Sequence, residues 1–407
     1  MEETILIVGG GQAGGRAAEA LRTAGFKGRV VIVGDEPWRP YERPPLSKDV
    51  LVATEDADCF KGWLHEAAYY DASAVERIKD SVVRLDTEGR VAVLASGCTV
   101  QYDKCLLVTG GRARRLAGVR HGQRVVTLRT LDDAMLLRGL MARSRSVAVI
   151  GGGFLGLEFA ASARARGLEV VVFEAGSRLL AKAMPAAFSR RLQQKHESHG
   201  VRFVLDSGPI QIDEDDSEVI LTNSVGALSF DFCVVAVGQE PNDDVARASG
   251  IVVNNGIVVD EFCRTSAACV YAAGDCANFP LGAASRPTRL ESWQNAQEQG
   301  IAAARNMLGE SFAYRPTPWF WTDQYDWNVQ MLGQPNDAVD CWIARPGNGE
   351  KGLLIGLREN VIVYVLALNQ GGDLRALRRL VEQAVPVDPE QLADMTVKVR
   401  QIERLSQ

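Results

Sequence analysis

Gly9-Gly10-Gly11-Gln12-Ala13-Gly14 and Gly151-Gly152-Gly153-Phe154-Leu155-Gly156 place glycine at the same three spaced positions. Each segment follows an apolar run of strand length, Ile5 to Val8 and Val147 to Ile150, and each opens a stretch with helical spacing. In such a turn the first glycine (Gly9, Gly151) permits the tight bend and the second (Gly11, Gly153) lets a pyrophosphate approach the backbone. The third (Gly14, Gly156) lets the helix pack on the strand, with the helix N-terminus aimed at the phosphates. One copy is a weak signal, since glycine loops are common. Two copies, each between a strand and a helix and each with an acid about 20 residues on, make a strong one for two dinucleotide sites.

The acids are Asp35 and Glu36 after the apolar run Val30 to Val33, and Glu174 after Val170 to Phe173. Glu174 is placed to accept hydrogen bonds from an adenosine ribose, and its charge repels a 2′-phosphate, which favours NAD(H) over NADP(H). Arg178, four residues later, could serve a phosphate or lie on the surface. Both copies continue into a short antiparallel meander, roughly Val82 to Tyr102 and Val204 to Phe230. Both then close on a buried strand with a small-residue end, Leu106 to Thr109-Gly110 and Val234 to Gly238. Two dinucleotide sites on one chain are explained most simply if one nucleotide passes hydride to the other, which makes the chain a flavin reductase.

These elements set a frame. The chain has 407 residues, 46% hydrophobic and 24% charged, enough for two or three domains with cores of their own. No run approaches the roughly 18 apolar residues of a membrane span, and the start Met1-Glu2-Glu3-Thr4 is acidic where a secretory leader is basic. A cytoplasmic protein is expected. The net charge of −6 argues against a dedicated nucleic-acid binder. The eight cysteines contain no Cys-x-x-Cys, so no metal site and no dithiol motif is spelled out, and any iron–sulfur cluster belongs to a partner. Beyond about Trp319 the pattern changes to alternating apolar residues around Val329 to Leu332, Gly352 to Ile355 and Val361 to Leu366, with a helical tail from Leu374 to Gln383.

Four further segments carry a family pattern: Arg43-Pro44-Pro45-Leu46-Ser47-Lys48, Thr265 to Asp275, Glu291 to Ala296 with Trp293, and Pro318 to Tyr325 with Trp319-Phe320-Trp321. In that order they resemble the NADH-dependent ferredoxin reductases of bacterial Rieske-type aromatic-ring dioxygenases, nearly end to end, with relatives in P450 systems. The resemblance implies an α/β fold with two Rossmann-like dinucleotide-binding domains of the disulfide-reductase-like FAD/NAD type plus a C-terminal α+β domain. Residues 1–110 and 239–318 would form the FAD domain, 111–238 the NAD domain and 319–407 the reductase domain. It assigns FAD to the first loop, with Gly9, Gly11, Ala13, Gly14, Asp35, Glu36, Arg43, Lys48, Val82, Thr109, Gly110, Arg129, Asp275, Trp293 and Trp321. NADH falls to Gly151, Gly153, Phe154, Leu155, Gly156, Glu158, Glu174 and Gly238. Lys48 and Glu158 would form a positioning ion pair near flavin and nicotinamide; no side-chain nucleophile is implied. Trp293 would start a helix whose positive end faces the flavin's pyrimidine edge, and Trp319 to Trp321 would cover the flavin.

The implied partner is a [2Fe–2S] ferredoxin, and through it a Rieske oxygenase. Arginines at 112, 114, 115 and 120, or at 375, 378 and 379, offer a basic docking face for an acidic ferredoxin. Enzymes of the same architecture that use a thiol need a cysteine beside the flavin, but Pro45 to Lys48 has none and Cys59 is too far along to align. A different class, an NADH-responsive flavoprotein acting by macromolecular binding, would show an interaction insertion or a localisation signal, and neither is found.

Overall fold

The computed structural model describes residues 2–53, 60–119, 122–215, 217–224, 226–282, 285–334 and 339–405. Cys59 and Arg120 lie outside them. The chain divides into two compact units, Met1–Pro45 with Ala57–Arg112 and Gln239–Pro316, and Leu46–Asp56 with Ala113–Gly238 and Thr317–Gln407.

In the first unit, five parallel strands stand in the order Val75–Lys79, Arg29–Gly34, Thr4–Val8, Lys104–Leu107, Val270–Ala272. Thr4–Val8 is central and covered on both faces, which is why Ile5-Leu6-Ile7-Val8 reads as a continuous apolar run and not an alternating one. The helices Gln12–Thr23 and Trp293–Met307 cross at Ala13 and Gly300: a Cβ on Gly300 would lie 2.6 Å from the Ala13 carbonyl oxygen. The meander Val82–Asp86, Val91–Leu94, Thr99–Gln101 is antiparallel.

The second unit repeats the plan. Its parallel strands run Val201–Val204, Glu169–Phe173, Ser146–Ile150, Phe232–Val235, Val125–Val126, so the third, second, first and returning strands of each copy occupy matching places. Its antiparallel meander, Gln211–Glu214, Val219–Asn223, Gly226–Phe230, packs Ile212, Leu221 and Phe230 on the sheet residues Ile150, Phe173 and Val235.

The same unit holds a five-stranded antiparallel sheet in the order Trp319–Gln324, Trp327–Gly333, Val361–Leu368, Gly352–Arg358, Cys341–Pro346. The first hairpin turns through two residues, Tyr325-Asp326, with Tyr325 at φ +56°. One sheet face buries Leu332, Val365 and Ala367 against Leu374, Leu377 and Leu380 of the helix Gly371–Glu382, which starts three residues before the expected Leu374. The other face buries Val329, Tyr364, Leu366 and Leu368 against Leu157, Leu179 and Phe188 of the second glycine-loop half. Val361–Leu368 is therefore apolar on both sides.

Candidate functional site

The two glycine loops confine their first and third glycines alike. Gly9 has φ +124° and Gly151 +110°, and a Cβ at either would stand 2.2 or 2.3 Å from the carbonyl oxygen of Val108 or Ala236. At Gly14 and Gly156 a Cβ would stand 2.1 Å from the carbonyl oxygen of Gly9 or Gly151. Packing within the chain thus forces the first and third glycines. It does not force the second: a Cβ at Gly11 would meet nothing nearer than an Arg43 nitrogen at 3.9 Å, and at Gly153 nothing within 4 Å. Both are N-caps in extended conformation with no side-chain capping bond, and neither helix carries an acid in its first turn. Free space before uncapped helix amides fits a pyrophosphate.

Around the first loop the structure gathers several of the expected residues. Arg43 Nη2 donates to Glu36 Oε1 at 2.6 Å, and Tyr41 OH donates to Glu36 Oε2 at 2.5 Å. Gly274, at φ +77°, leaves room for only 3.2 Å between a Cβ and that of Ala13, which sets the Gly274–Cys276 turn with Asp275 beside the loop helix. Gln239 Nε2 donates to Asp275 Oδ2 at 3.0 Å. Thr109 and Gly110 are clasped by Asn242: Thr109 Oγ1 donates to the Asn242 carbonyl and Asn242 N to the Gly110 carbonyl. Trp293 begins its helix behind Ser292, whose hydroxyl accepts from Asn295 N. Asp35 is exposed, and the Val82 side chain is in the core; neither joins the Glu36 cluster.

In the second unit both Glu174 oxygens accept backbone amides, Oε2 from Gly152 and Oε1 from Gly176, each at 2.7 Å. Arg178 is not a loose surface group: it donates to the Met184 and Ala181 carbonyls and to Ser189 Oγ. Phe154 packs on Phe320, centroids 4.5 Å apart, while Leu155 is exposed. Gly238, at φ +98°, follows the strand end that confines Gly151. Arg129 lies before the capping box of Thr130 and Asp133, its amide donating to Asp133. Trp319 and Trp321 stack at 5.0 Å, and Trp321 Nε1 donates to Asp323.

Lys48 and Glu158 meet, Nζ to Oε1 at 3.0 Å, with the Glu158 side chain only 8% exposed. A buried carboxylate needs more than one donor. It has them: Ser47 Oγ donates to Oε2 at 2.5 Å and Thr322 Oγ1 to Oε1 at 2.6 Å. Sequence reasoning missed Ser47 and Thr322 as partners, although both lie inside the family-like segments. Behind Thr322, Gln324 Nε2 donates to its hydroxyl at 3.0 Å, and Gln324 Oε1 lies 2.7 Å from His196 Nε2.

Burial pushes the His196 imidazole down to about 4 from an ordinary 6.5, against the Gln324 hydrogen bond, which raises it. Between those values the unfolded chain takes up a proton that the folded chain refuses. Stability is therefore full above pH 6.5, falls by about 3 kcal/mol as pH drops toward 4, and levels off below. Urea unfolding across that window is expected to show the loss, and His196→Gln to flatten it; equal slopes in both proteins would contradict the assignment.

Cys105, Cys233, Cys263 and Cys276 are buried, and burial raises their thiols well above the ordinary range, which suits packing and not redox chemistry. Among the described residues no cluster could hold a metal ion, and no helix is long and apolar enough to cross a membrane.

Comparison with known proteins fits this build. Residues 3–300 match the pyridine nucleotide-disulphide oxidoreductase family and residues 319–403 the reductase C-terminal family. The chain is 38% identical to rhodocoxin reductase of Rhodococcus erythropolis, over 96% of this chain and 92% of that one. It is also 38% identical to the ferredoxin–NAD(+) reductase component of the anthranilate 1,2-dioxygenase system of Burkholderia cepacia, over 98% of each. The structure of the ferredoxin reductase for the CYP199A2 system of Rhodopseudomonas palustris superposes with a TM-score of 0.93 at 34% identity, covering 98% of this chain and 99% of that one. The kinship with ferredoxin reductases expected from the four segments is borne out. With its paired glycine cradles and its C-terminal sheet, the chain belongs to the pyridine nucleotide-disulphide oxidoreductase family.

Proposed function

We propose that this chain is a cytoplasmic NADH-dependent ferredoxin reductase: it takes hydride from NADH onto FAD and passes electrons singly to a [2Fe–2S] ferredoxin that supplies a Rieske-type aromatic dioxygenase. The observation that carries the reading is the pair of matched cradles, each with its second glycine facing free space. Residues 1–110 and 239–318 hold FAD, 111–238 hold NADH, and 319–407 form the reductase domain.

When bound, FAD supplies the exchange of a two-electron hydride for single electrons. The protein's part is binding and alignment. Gly11 and Gly153 give up their side-chain volume to the pyrophosphates, and the uncapped amides of their helices receive the negative charge. Arg43 and Tyr41 hold Glu36 in place. The Trp293–Met307 helix would offer its positive end to the flavin ring. Lys48 and Glu158 position the nicotinamide.

Glu174 uses one lone pair of each oxygen on backbone amides, which leaves others for ribose hydroxyls. Arg178 gives three of its five donors to groups of its own neighbourhood, which disfavours its service to a 2′-phosphate. Glu174→Ala is expected to lower kcat/KM for NADH by about tenfold to a hundredfold, the worth of charge-assisted hydrogen bonds, and to narrow the gap to NADPH. Steady-state ferricyanide reduction with both nucleotides measures this; an unchanged NADH preference would contradict it.

For docking, each cluster has one arginine paired at 2.6 Å, Arg112 with Asp244 and Arg378 with Glu382, beside exposed ones, Arg114 and Arg115 in the first and Arg375 and Arg379 in the second. Either face suits an acidic ferredoxin. A second reading, service to the ferredoxin of a P450 system, is favoured by the likeness to the Rhodopseudomonas palustris reductase. NADH-driven cytochrome c reduction through ferredoxins of each type separates them by kcat/KM. Sluggish turnover with both would instead favour a flavoprotein that acts by binding macromolecules.

A further inference from the structure

Glu158 is the end of a buried hydrogen-bonded chain, and the chain has one allowed direction. A carboxylate paired with Lys48 only accepts, so the Thr322 hydroxyl, 2.6 Å from Glu158 Oε1, must donate to it. The Thr322 oxygen is then left to accept from Gln324 Nε2 at 3.0 Å. That turns Gln324 Oε1 toward His196 Nε2 at 2.7 Å, so Nε2 carries the proton. Nδ1 is the acceptor, and Tyr325 OH donates to it at 3.0 Å. Thr322 and His196 are completely buried and Gln324 is 1% exposed, so no water competes along the way. His196 stays neutral at neutral pH, as the chain requires.

All of these groups belong to one compact unit, and apart from Lys48 they are drawn from three elements: the helix Phe154–Ala165, the helix Ala186–Ser198 and the Trp319–Gln324 strand with its turn. Thr322 and Gln324 alternate with Trp321 and Asp323 along that strand. The face that feeds Glu158 is thus set by the same register as the tryptophan pair.

We propose that Thr322, Gln324 and His196 are positioning residues for nicotinamide oxidation: they fix the rotamer of the Glu158 carboxylate so that Oε1 stays on Lys48. The inference rests on the reading of Lys48 and Glu158 as the pair that aligns the nicotinamide. Without the Thr322 donor the carboxylate keeps only Ser47 and Lys48, and Oε1 is free to turn away from the geometry that the hydride step needs.

The test is anaerobic stopped-flow reduction of the flavin-loaded protein by NADH, which separates the limiting rate from the apparent Kd. Thr322→Val, which keeps shape and removes the hydroxyl, is expected to lower the limiting rate about tenfold with the flavin spectrum unchanged. Thr322→Ser is expected to restore it to within about twofold, and Gln324→Leu to fall between. A merely structural role would change thermal stability and leave the limiting rate of the folded, yellow protein as it was; that result, or failure of the serine to rescue, overturns the relay. Glu158→Gln run alongside separates the two levels: if it reduces at the wild-type rate, the reading of the pair falls and the relay with it. If it is slow while Thr322→Val is normal, only the relay falls.

Discussion

A Gly153→Val protein is expected to fold, to keep its flavin and to be nearly blind to NADH. Gly153 sits at φ −83° and ψ −178°, a conformation open to any residue, and a Cβ there meets nothing within 4 Å. The fold therefore loses little, about 1 kcal/mol for an unfavourable N-cap. The nucleotide is expected to lose much more, because the branched side chain would fill the space proposed for the pyrophosphate against the helix amides. A loss of at least about 3 kcal/mol, or a hundredfold in Kd, is expected, read as slow flavin reduction by NADH with dithionite reduction intact. Gly11→Val is the reciprocal case: folded, colourless, and still able to bind NADH. Gly14→Ala and Gly156→Ala are the controls, since each would drive a Cβ to 2.1 Å from a backbone oxygen and should loosen the fold itself. If Gly153→Val binds NADH normally, the free space has been misassigned.

The second large effect concerns Lys48 and Glu158. Glu158 accepts from Lys48, Ser47 and Thr322. Glu158→Gln replaces one accepting oxygen by a donor, so at least one of the three loses its partner. Breaking a buried pair from one side typically costs about 3–5 kcal/mol; with the Lys48 side chain 18% exposed and able to reach water, the lower end is expected. Lys48→Met should cost less stability, because two neutral donors still hold the carboxylate. A double-mutant cycle between them is expected to give a coupling of about 1–3 kcal/mol in urea unfolding and a matching non-additivity in the rate of flavin reduction. Additive effects in both would mean that the contact carries no function.

The contrast between these two sites shows what the sequence could reveal. The glycine loops were legible because their chemistry is local: three residues within six positions, the first and third forced by one turn and the second left facing open space, announced by a strand before and a helix after. The duplication was legible because apolar runs such as Val147 to Ile150 mark strands covered on both faces. The Lys48–Glu158 pair came only through resemblance, and its supporting groups did not come at all. Thr322 is 164 positions from Glu158 and His196 is 128 from Gln324, and threonine, glutamine and histidine at such positions look ordinary. Nothing local announces a bond that exists only when distant elements pack. Arg178 makes the same point from the other side. A cation beside a nucleotide loop invites a phosphate, yet here three of its five donors go to two nearby carbonyls and to Ser189. The C-terminal sheet was legible as strands from its alternation. That its second face shares a core with Leu157 and Phe188 was not, because the apolar residues of Val361–Leu368 show that both faces are covered without saying by what.

The most direct measurement is an anaerobic titration of the purified protein with NADH, followed by visible absorbance, with NADPH in parallel and a [2Fe–2S] ferredoxin added at the end point. Stoichiometric NADH is expected to bleach the flavin bands, NADPH to leave them nearly unchanged, and the oxidised ferredoxin to bring them back. A protein that carries no flavin, or whose flavin NADH does not reduce, would contradict the account.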